Sequence, residues 1–377
     1  MTGVAQGAPK SVSTKPLKVF SQSSSAEAIV ANSKAIFTYE NIMGLSADIK
    51  VRAFDFTGVE IWSKTVDSGL DEVATAMAID SQGTLWLVGN IAIAAQPESA
   101  TATTEALNPD GIEVENIQPL RTDMKNISVW QISATGEVIG QNSIATVALI
   151  NAISVSSSGL SILASRENEP FLITLSQGKF SKELKIGTVK TKLSAITRSS
   201  DGTTYLFGSS SESLGGKKLV GRVDAILIKI AKTGSIASIV RSSAPKALRD
   251  WQSTTSSLFV TGSVKSGTAV ESAITKFNSS FIPAWTTRIS STGKTLASSG
   301  ASGSFYSILE PTSAIKGVTG FKGVKGQSVV LQFDSKGLLI SAFTSAELTS
   351  AVTTTYSNTA GLFLLTVDGK IWQISNS

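Results

Sequence analysis

The chain has 377 residues, of which 41% are hydrophobic and only 16% charged, and its formal net charge is +5. This length is too great for one ordinary core, so a core built from repeated layers is expected. Cysteine and histidine are absent. Their absence excludes disulfides and thiolate chemistry, and it removes the commonest general base and metal ligand. No run approaches the roughly 20 apolar residues of a membrane span, so the chain is expected not to be membrane-spanning.

The first sixteen residues, MTGVAQGAPKSVSTKP, lack the apolar region of a signal peptide. They are predicted to be a flexible N-terminal tether that precedes a folded domain over residues 17–377. The tether is interpreted as what remains after a signal was removed and Met1 added, although Met1 as the true start stays open.

A short hairpin motif recurs along the rest of the chain. Its clearest copy is VATAMAIDSQGTLWLVGN at 73–90, which reads as two strands around an Asp-Ser-Gln-Gly turn. Seven copies are predicted, at 26–39, 74–89, 150–164, 193–208, 248–262, 296–309 and 351–366. Their spacing is typical of propeller blades of about 40 to 50 residues with loop insertions.

A second hairpin follows each of the first six copies, as in DAILIKIAKTGSIASIV at 224–240. Two hairpins make the four antiparallel strands of one blade. After the seventh copy only one more strand follows, at 370–374, whereas an unpaired strand stands at 17–20. The sequence therefore predicts an all-β fold: a single seven-bladed β-propeller with four antiparallel strands per blade. Its ring would be closed by the N-terminal strand pairing in the C-terminal blade.

The repeat resembles the SBBP-type bacterial β-propeller repeat. ATAMAIDSQGTLWLVG at 74–89 is similar to the first half of that repeat, and DAILIKIAKTG at 224–234 to the second. The later copies depart from it, as at Trp251 and at 353–355. The resemblance covers about residues 17–377. It implies a secreted or surface-attached bacterial protein, and it says little about a ligand.

The segment 90–125 is a long insertion in the second blade, rich in acidic residues. One interpretation is a lid or partner-binding arm, and the other is a solvated, variable loop. The carboxylates of Asp110, Glu113 and Glu115 are of the kind that binds calcium, but their spacing matches no recognised calcium loop. No metal site and no cofactor are therefore expected.

Charge divides unevenly, because residues 1–125 carry a net −6 and residues 126–377 a net +11. Basic residues of the second part fall on connections between hairpins and between blades, the loop face of a propeller. A basic sector attracts polyanions, although a general role in solubility is the alternative. The predicted ligand-binding residues are Trp251, Arg249, Lys246, Arg222, Lys217, Lys218, Lys322 and Lys325. One interpretation of Trp251 is that it stacks on a sugar at the mouth of the ring; the alternative is packing in the core, as expected of the other tryptophans.

The sequence predicts a non-catalytic binding or scaffold protein, secreted or on the cell surface, although a cytoplasmic location fits the lack of cysteine equally. Expected partners are a glycan, a polyanionic cell-surface polymer or a protein. Nucleic acid is not expected, since no aromatic residues are interleaved with the basic ones. Two alternatives stay open: a carbohydrate-active hydrolase or lyase using only Asp and Glu, and a structural subunit of a surface assembly.

Overall fold

The computed structural model describes residues 11–22, 25–44, 46–93, 124–324 and 326–376, which form strands joined by turns and links. The strands, in chain order, are β1 (Val12–Pro16), β2 (Lys18–Gln22), β3 (Ala28–Ala31), β4 (Ile36–Met43), β5 (Ala47–Phe54), β6 (Glu60–Val66), β7 (Glu72–Ile79), β8 (Leu85–Ile91), β9 (Asn126–Ile132), β10 (Val138–Ala145), β11 (Leu149–Ser156), β12 (Gly159–Arg166), β13 (Glu169–Ser176), β14 (Lys179–Phe180), β15 (Leu184–Lys185), β16 (Thr191–Arg198), β17 (Thr204–Ser210), β18 (Asp224–Ile230), β19 (Ile236–Ser242), β20 (Leu248–Thr254), β21 (Phe259–Ser266), β22 (Ala269–Phe277), β23 (Pro283–Ser299), β24 (Phe305–Pro311), β25 (Val318–Thr319), β26 (Val329–Phe333), β27 (Leu339–Thr344), β28 (Ala351–Ser357), β29 (Gly361–Thr366) and β30 (Lys370–Ile374).

A single 3₁₀ turn, Ala301–Gly303, is the only helical element in the part of the chain that the structure describes. Across those same ranges, no helix has the length and apolar character needed to cross a membrane.

Five sheets have the size of separate propeller blades. Their strand orders are β3-β4-β5-β6, β10-β9-β8-β7, β11-β12-β13-β14 with β15 also on β13, β16-β17-β18-β19, and β2-β30-β29-β28. Each predicted first hairpin is present as an antiparallel pair, as in β7 with β8 and β16 with β17. The first strands of successive sets pack side by side, and β28 packs on β3 to close the circuit.

The prediction of seven four-stranded blades is wrong, because the structure has five separate blades and one nine-stranded sheet. That sheet runs β20-β21-β22-β23-β24-β26-β27-β1-β25. Its cause is the 17-residue strand β23, which runs through the segment predicted as a link between two blades. Ser290 pairs with Glu271 of β22, and the next residue, Ser291, pairs with Pro311 of β24. The two ladders therefore meet at consecutive residues of one strand, with a register shift between Ser291 and Thr295.

The two ends of the chain meet in one sheet, as the sequence predicts. Strand β2 pairs antiparallel with β30, with Lys18 opposite Gln373 and Val19 opposite Trp372. β30 pairs in turn with β29. The Phe20 ring contacts the ring of the fully buried Phe363 with centroids 5.2 Å apart. This pairing covers the β30 edge that would otherwise be open.

Part of the predicted tether is ordered strand. β1 pairs in parallel with β27 through Thr14, Lys15 and Pro16, and with β25 through Val12 and Ser13. Leu17, between β1 and β2, is buried against Ile308 and Leu364. Residues 12–16 therefore join the nine-stranded sheet, whereas residues 1–10 of the predicted tether lie outside the described residues.

The core lies between neighbouring sheets. Every residue of β17 and of β29 is buried, and so are most residues of β8 and β12, because both faces of these second strands are covered. Outer strands such as β10 alternate between exposed and half-buried residues. Each sheet thus contributes large side chains to two interfaces, for example the cluster containing Phe37, Tyr39 and Trp130.

A glycine in the second strand of several sheets accommodates a bulge in the first. Between Ala74 and Ala76 the register of β7 against β8 shifts, and Gly89 lies opposite. A Cβ on Gly89 would be 1.9 Å from the Val73 carbonyl oxygen. Gly208 and Gly262 stand in the same relation to the bulges of β16 and β20. The Gly that closes the repeat motif is thus required by the close approach of two backbones.

Replacing this glycine is expected to destabilise the fold. Gly89→Ala would force the two strands apart, at a cost of about 1–3 kcal/mol. The matched control is Gly44→Ala, because the nearest atom to a Cβ there is 3.7 Å away. Urea unfolding followed by tryptophan fluorescence measures both, and equal midpoints for the two variants would contradict the bulge argument.

Removing the N-terminal strands is expected to open the ring. A chain starting at residue 24 loses β1, Leu17 and β2, so it should unfold at a lower temperature and expose the β30 edge. The control is a chain starting at residue 11, which keeps every strand described above. An unchanged melting temperature for the longer truncation would show that the pairing of β2 with β30 does not hold the ring closed.

Candidate functional site

The candidate site lies where β20 begins. Two cavities meet at Arg249 and Asp250, with volumes of 670 Å³ and 310 Å³. The larger is lined by the link before β18, the last residues of β17 and β21, the first residues of β20 and β22, and residues 292–294 of β23. All of these segments belong to the loop face, where connections between hairpins and between sheets lie. The volumes fall within the range of small-molecule sites.

Backbone hydrogen bonds hold the start of β20 against the preceding sheet. The amides of Arg222 and Val223 both donate to the Ala247 carbonyl, at 2.9 and 3.3 Å, and the Arg249 amide donates to Val223 at 3.0 Å. Val223 also forms a parallel bridge with Leu248. These bonds fix the backbone of Arg249 and its neighbour Asp250 between two sheets.

A buried ion pair lies beside the start of β20. Arg241 Nη1 lies 3.3 Å from Asp224 Oδ2, and both side chains are almost completely buried. Asp224 also accepts hydrogen bonds from the amides of Val220 and Gly221, at 3.0 and 2.8 Å. Because both charges are compensated inside the protein, the pair serves structure rather than ligand binding.

The cavity walls carry an excess of positive charge. Arg249, Lys265 and Lys294 line the larger cavity, and Asp250 is the one carboxylate among its lining residues. Within the described part of the chain, none of these three cations has a carboxylate oxygen within 4.0 Å. Arg288 lines the smaller cavity beside Arg249 and pairs with Glu271 at 3.5 Å.

Burial shifts the titration of both central groups. It raises the pKa of the Asp250 carboxyl above its usual range, with Ser209 and Lys192 acting in the opposite direction. Burial also lowers the pKa of the Arg249 guanidinium; Arg288 adds to this effect and Asp224 opposes it. Burial therefore disfavours the charged form of both groups, and a ligand that pairs with the guanidinium or donates a hydrogen bond to the carboxylate would offset part of that cost.

Buried polar atoms without a protein partner concentrate here. Of nine such side-chain atoms among the described residues, four belong to the segment 241–251: Arg241 Nε, Arg249 Nε, Asp250 Oδ1 and Trp251 Nε1. Native structures leave few buried polar groups unpaired, so a local concentration requires an explanation. Two of these atoms, on Arg249 and Asp250, belong to residues that line both cavities.

The predicted site residues divide between cavity and surface. Arg249 lines both cavities, and Trp251 lines the smaller one. Arg222 and Lys246 are exposed, and both lie beside Ala247 at the hydrogen-bonded link. Lys217 and Lys218 lie in the link between β17 and β18, and Lys322 in the link between β25 and β26; all three are exposed and outside the described lining of both cavities. Lys325 lies outside the described residues.

Trp251 is not exposed at the mouth of the ring. Its side chain is buried, with only 4% of its surface accessible, and its ring meets Phe277 edge-on at 5.6 Å. It packs there with Phe277 and Phe281 in one apolar cluster. No ring face is therefore available for stacking on a sugar in this conformation.

Sequence reasoning missed Asp250 and Lys294 as site residues. Asp250 falls within the hairpin predicted at 248–262, and Lys294 falls in the short segment between two predicted hairpins, which the structure shows as part of β23. The insertion over 90–125 falls between β8 and β9; its residues 94–123, with Asp110, Glu113 and Glu115, lie outside the described residues.

Replacing the buried carboxyl is expected to change stability with pH. Because the folded pKa of Asp250 is raised, its ionised form disfavours folding at every pH above the unfolded value of about 3.9. Asp250→Asn should therefore melt at a higher temperature than the unaltered chain at pH 7. The difference should shrink as the pH falls toward 4, where both states become protonated.

Asp201→Asn is the matched control, because hydrogen bonds from Thr203 hold the pKa of Asp201 below its usual range. Its folded pKa is depressed, so that variant should lose stability at pH 7 and approach the unaltered chain in acid. Differential scanning calorimetry from pH 3 to 8 measures both. A stability loss for Asp250→Asn at pH 7 would contradict the assignment.

The chain is similar in fold to solved β-propellers. It matches the β-propeller domain of Cps50 (Swd1) from Myceliophteria thermophila with a TM-score of 0.55 at 10% identity, over 96% of this chain and 100% of that one. It matches BBS1N, solved in complex with ARL6DN, with a TM-score of 0.51 at 8% identity, over 97% and 98% of the two chains. Virginiamycin B lyase from Staphylococcus aureus gives 0.50 at 12% identity, over 95% and 97%.

These identities show the fold alone. No protein-family model matches the chain, and no curated protein matches it in sequence. The propeller part of the predicted resemblance is therefore confirmed, whereas nothing found supports its SBBP-type or bacterial part. The chain is an all-β propeller.

Proposed function

We propose that this protein is a non-catalytic binding propeller that takes an acidic polysaccharide in the cavities beside Arg249 and Asp250. The observation that carries the proposal is that cations without a carboxylate partner and buried polar atoms without a hydrogen-bond partner, both judged among the described residues, occur at one place. A cell-surface or secreted location, and an SBBP-like origin, belong to the same proposal.

The pairing of an acceptor with several cations favours an acidic sugar over a simple polyphosphate. Arg249, Lys265 and Lys294 supply donors for carboxylate or sulfate groups. Asp250 Oδ1 supplies an acceptor for a hydroxyl group, which a polyphosphate chain lacks. A polymer carrying both anionic groups and hydroxyls satisfies both kinds of site, and Lys192 extends the positive surface toward the neighbouring cavity.

Binding is tested with polygalacturonate and dextran sulfate against neutral dextran, by isothermal titration calorimetry at 50 and 300 mM NaCl. The acidic polymers should bind, more weakly at the higher salt, because salt screens charged contacts. Arg249→Gln and Lys294→Gln should each weaken binding about tenfold, the effect of losing one charged hydrogen bond. Lys218→Gln is the matched control, since Lys218 is exposed outside both cavities.

Results of two kinds would contradict the proposal. The first kind concerns the unaltered chain: the acidic polymers bind at neither salt concentration, or they bind equally well at both. The other is a loss for Lys218→Gln as large as for Lys294→Gln, which would indicate a diffuse attraction with no site.

An enzyme acting on the same polymer is the second candidate. A carboxyl with a raised pKa, such as Asp250, is suited to act as a general acid. Hydrolysis by paired carboxylates requires a second Asp or Glu, and none stands among the described lining residues of the two cavities. The same titrations, followed by assay for new reducing ends or unsaturated uronates, distinguish cleavage from binding.

A further inference from the structure

A second site lies on the same face, between the sheets β3–β6 and β7–β10. Asp48 is the second residue of β5, Asp67 follows the end of β6, and Glu72 begins β7. A carboxylate oxygen from each of the three lies within 4.8 Å of the others. Glu72 is fully buried, Asp48 half-buried and Asp67 exposed, so the cluster reaches from the interior to solvent.

Glu72 carries a buried acceptor without a donor. Its Oε1 accepts hydrogen bonds from the amide and the hydroxyl of Ser68. Its Oε2 has no hydrogen-bond partner among the described residues, although the side chain is 0% exposed. A buried carboxylate oxygen of this kind is costly unless a positive group or a donor meets it.

The corresponding place in another sheet shows how this chain neutralises a carboxylate with its own residues. Asp224 in β18 corresponds to Asp48 in β5, since Asp224 lies two residues before Ile226 as Asp48 lies two residues before Lys50. There Arg241 of β19, opposite Ile226, pairs with Asp224 at 3.3 Å. In the first sheet the residue opposite Lys50 is Thr65, so the arginine is missing.

In addition, a second acid lies close to Asp48 in the first sheet. The ladder of β5 and β6 ends with Ile49 opposite Val66, which places Asp48 and Asp67 at the next position, facing each other. Like charges opposite one another destabilise a sheet. Within the described ranges no Lys or Arg nitrogen lies within 4.0 Å of the three carboxylates.

We infer that Asp48, Asp67 and Glu72 bind a calcium ion that links the two sheets. The ligand set is entirely oxygen, which suits a hard cation. Calcium–oxygen distances are about 2.3–2.6 Å, so oxygens on opposite sides of one ion lie up to about 5 Å apart, and the observed limit of 4.8 Å is compatible with a shared ion. Calcium accepts irregular ligand geometry, whereas magnesium requires a smaller and more regular shell.

The inference is tested on the full chain, stripped with EDTA and titrated with CaCl₂ and, separately, MgCl₂ by calorimetry. One calcium ion per chain is expected to bind at the three carboxylates. Calcium should raise the melting temperature more than magnesium does. Asp67→Asn and Glu72→Gln should each weaken that binding at least tenfold and remove the calcium-dependent rise. Both amides keep the oxygen that accepts the bonds from Gly69 and Ser68, so the turns should survive.

Glu137→Gln is the matched control, because Glu137 is exposed in a turn and, among the described residues, forms an ion pair with Lys64 alone. It should bind calcium as the unaltered chain does. The exposed Asp67 keeps the test decisive if the buried Glu72 variant folds poorly. Calcium binding that is absent, or that is unchanged in Asp67→Asn, would overturn the inference; the latter would place the ion elsewhere on the chain.

Discussion

Pairing of the chain's two ends in one sheet is the constraint on which the rest of the structure depends. Strand β2 completes the sheet of β28, β29 and β30, and β28 in turn packs on β3. A ring of twisted sheets is stable only when the last sheet meets the first, since otherwise two large apolar faces stay open. Strand β1, in the same N-terminal segment, pairs with β27 of the nine-stranded sheet, so residues 12–22 take part in two sheets.

The closed ring is what makes the loop face a rigid platform. Residues from the links and strand ends of three neighbouring strand sets surround the cavity at Arg249, although they are far apart in sequence. The Arg241–Asp224 pair lies inside the same region and compensates its own charge. Arg249, Lys265 and Lys294, which line the larger cavity, have no carboxylate partner within 4.0 Å among the described residues. The acidic cluster at Glu72 shows the opposite imbalance between two other sheets.

Local patterns account for what could be predicted. Alternating apolar residues and Asp-Gly turns mark hairpins, because strand periodicity and turn geometry are decided by a few adjacent residues. This is why the first hairpins and the strand at 17–20 were found. The wrong blade count arises at β23, where Ser291 pairs with Pro311 of β24 directly after Ser290 pairs with Glu271 of β22. Whether a polar, Gly-containing segment such as 290–295 forms a link or a continuous strand depends on partners that are distant in sequence.

The sequence by itself determined the strands, the meeting of the two ends and the uneven charge of the two parts of the chain. Only the tertiary structure decided which charges meet. Trp251, for which stacking on a sugar is one interpretation of the sequence, lies in an apolar cluster with Phe277, whereas Asp250 and Lys294 line a cavity. The physical reason is that neighbouring residues of a strand point to opposite sides, and the packing of one sheet on the next decides which side is covered.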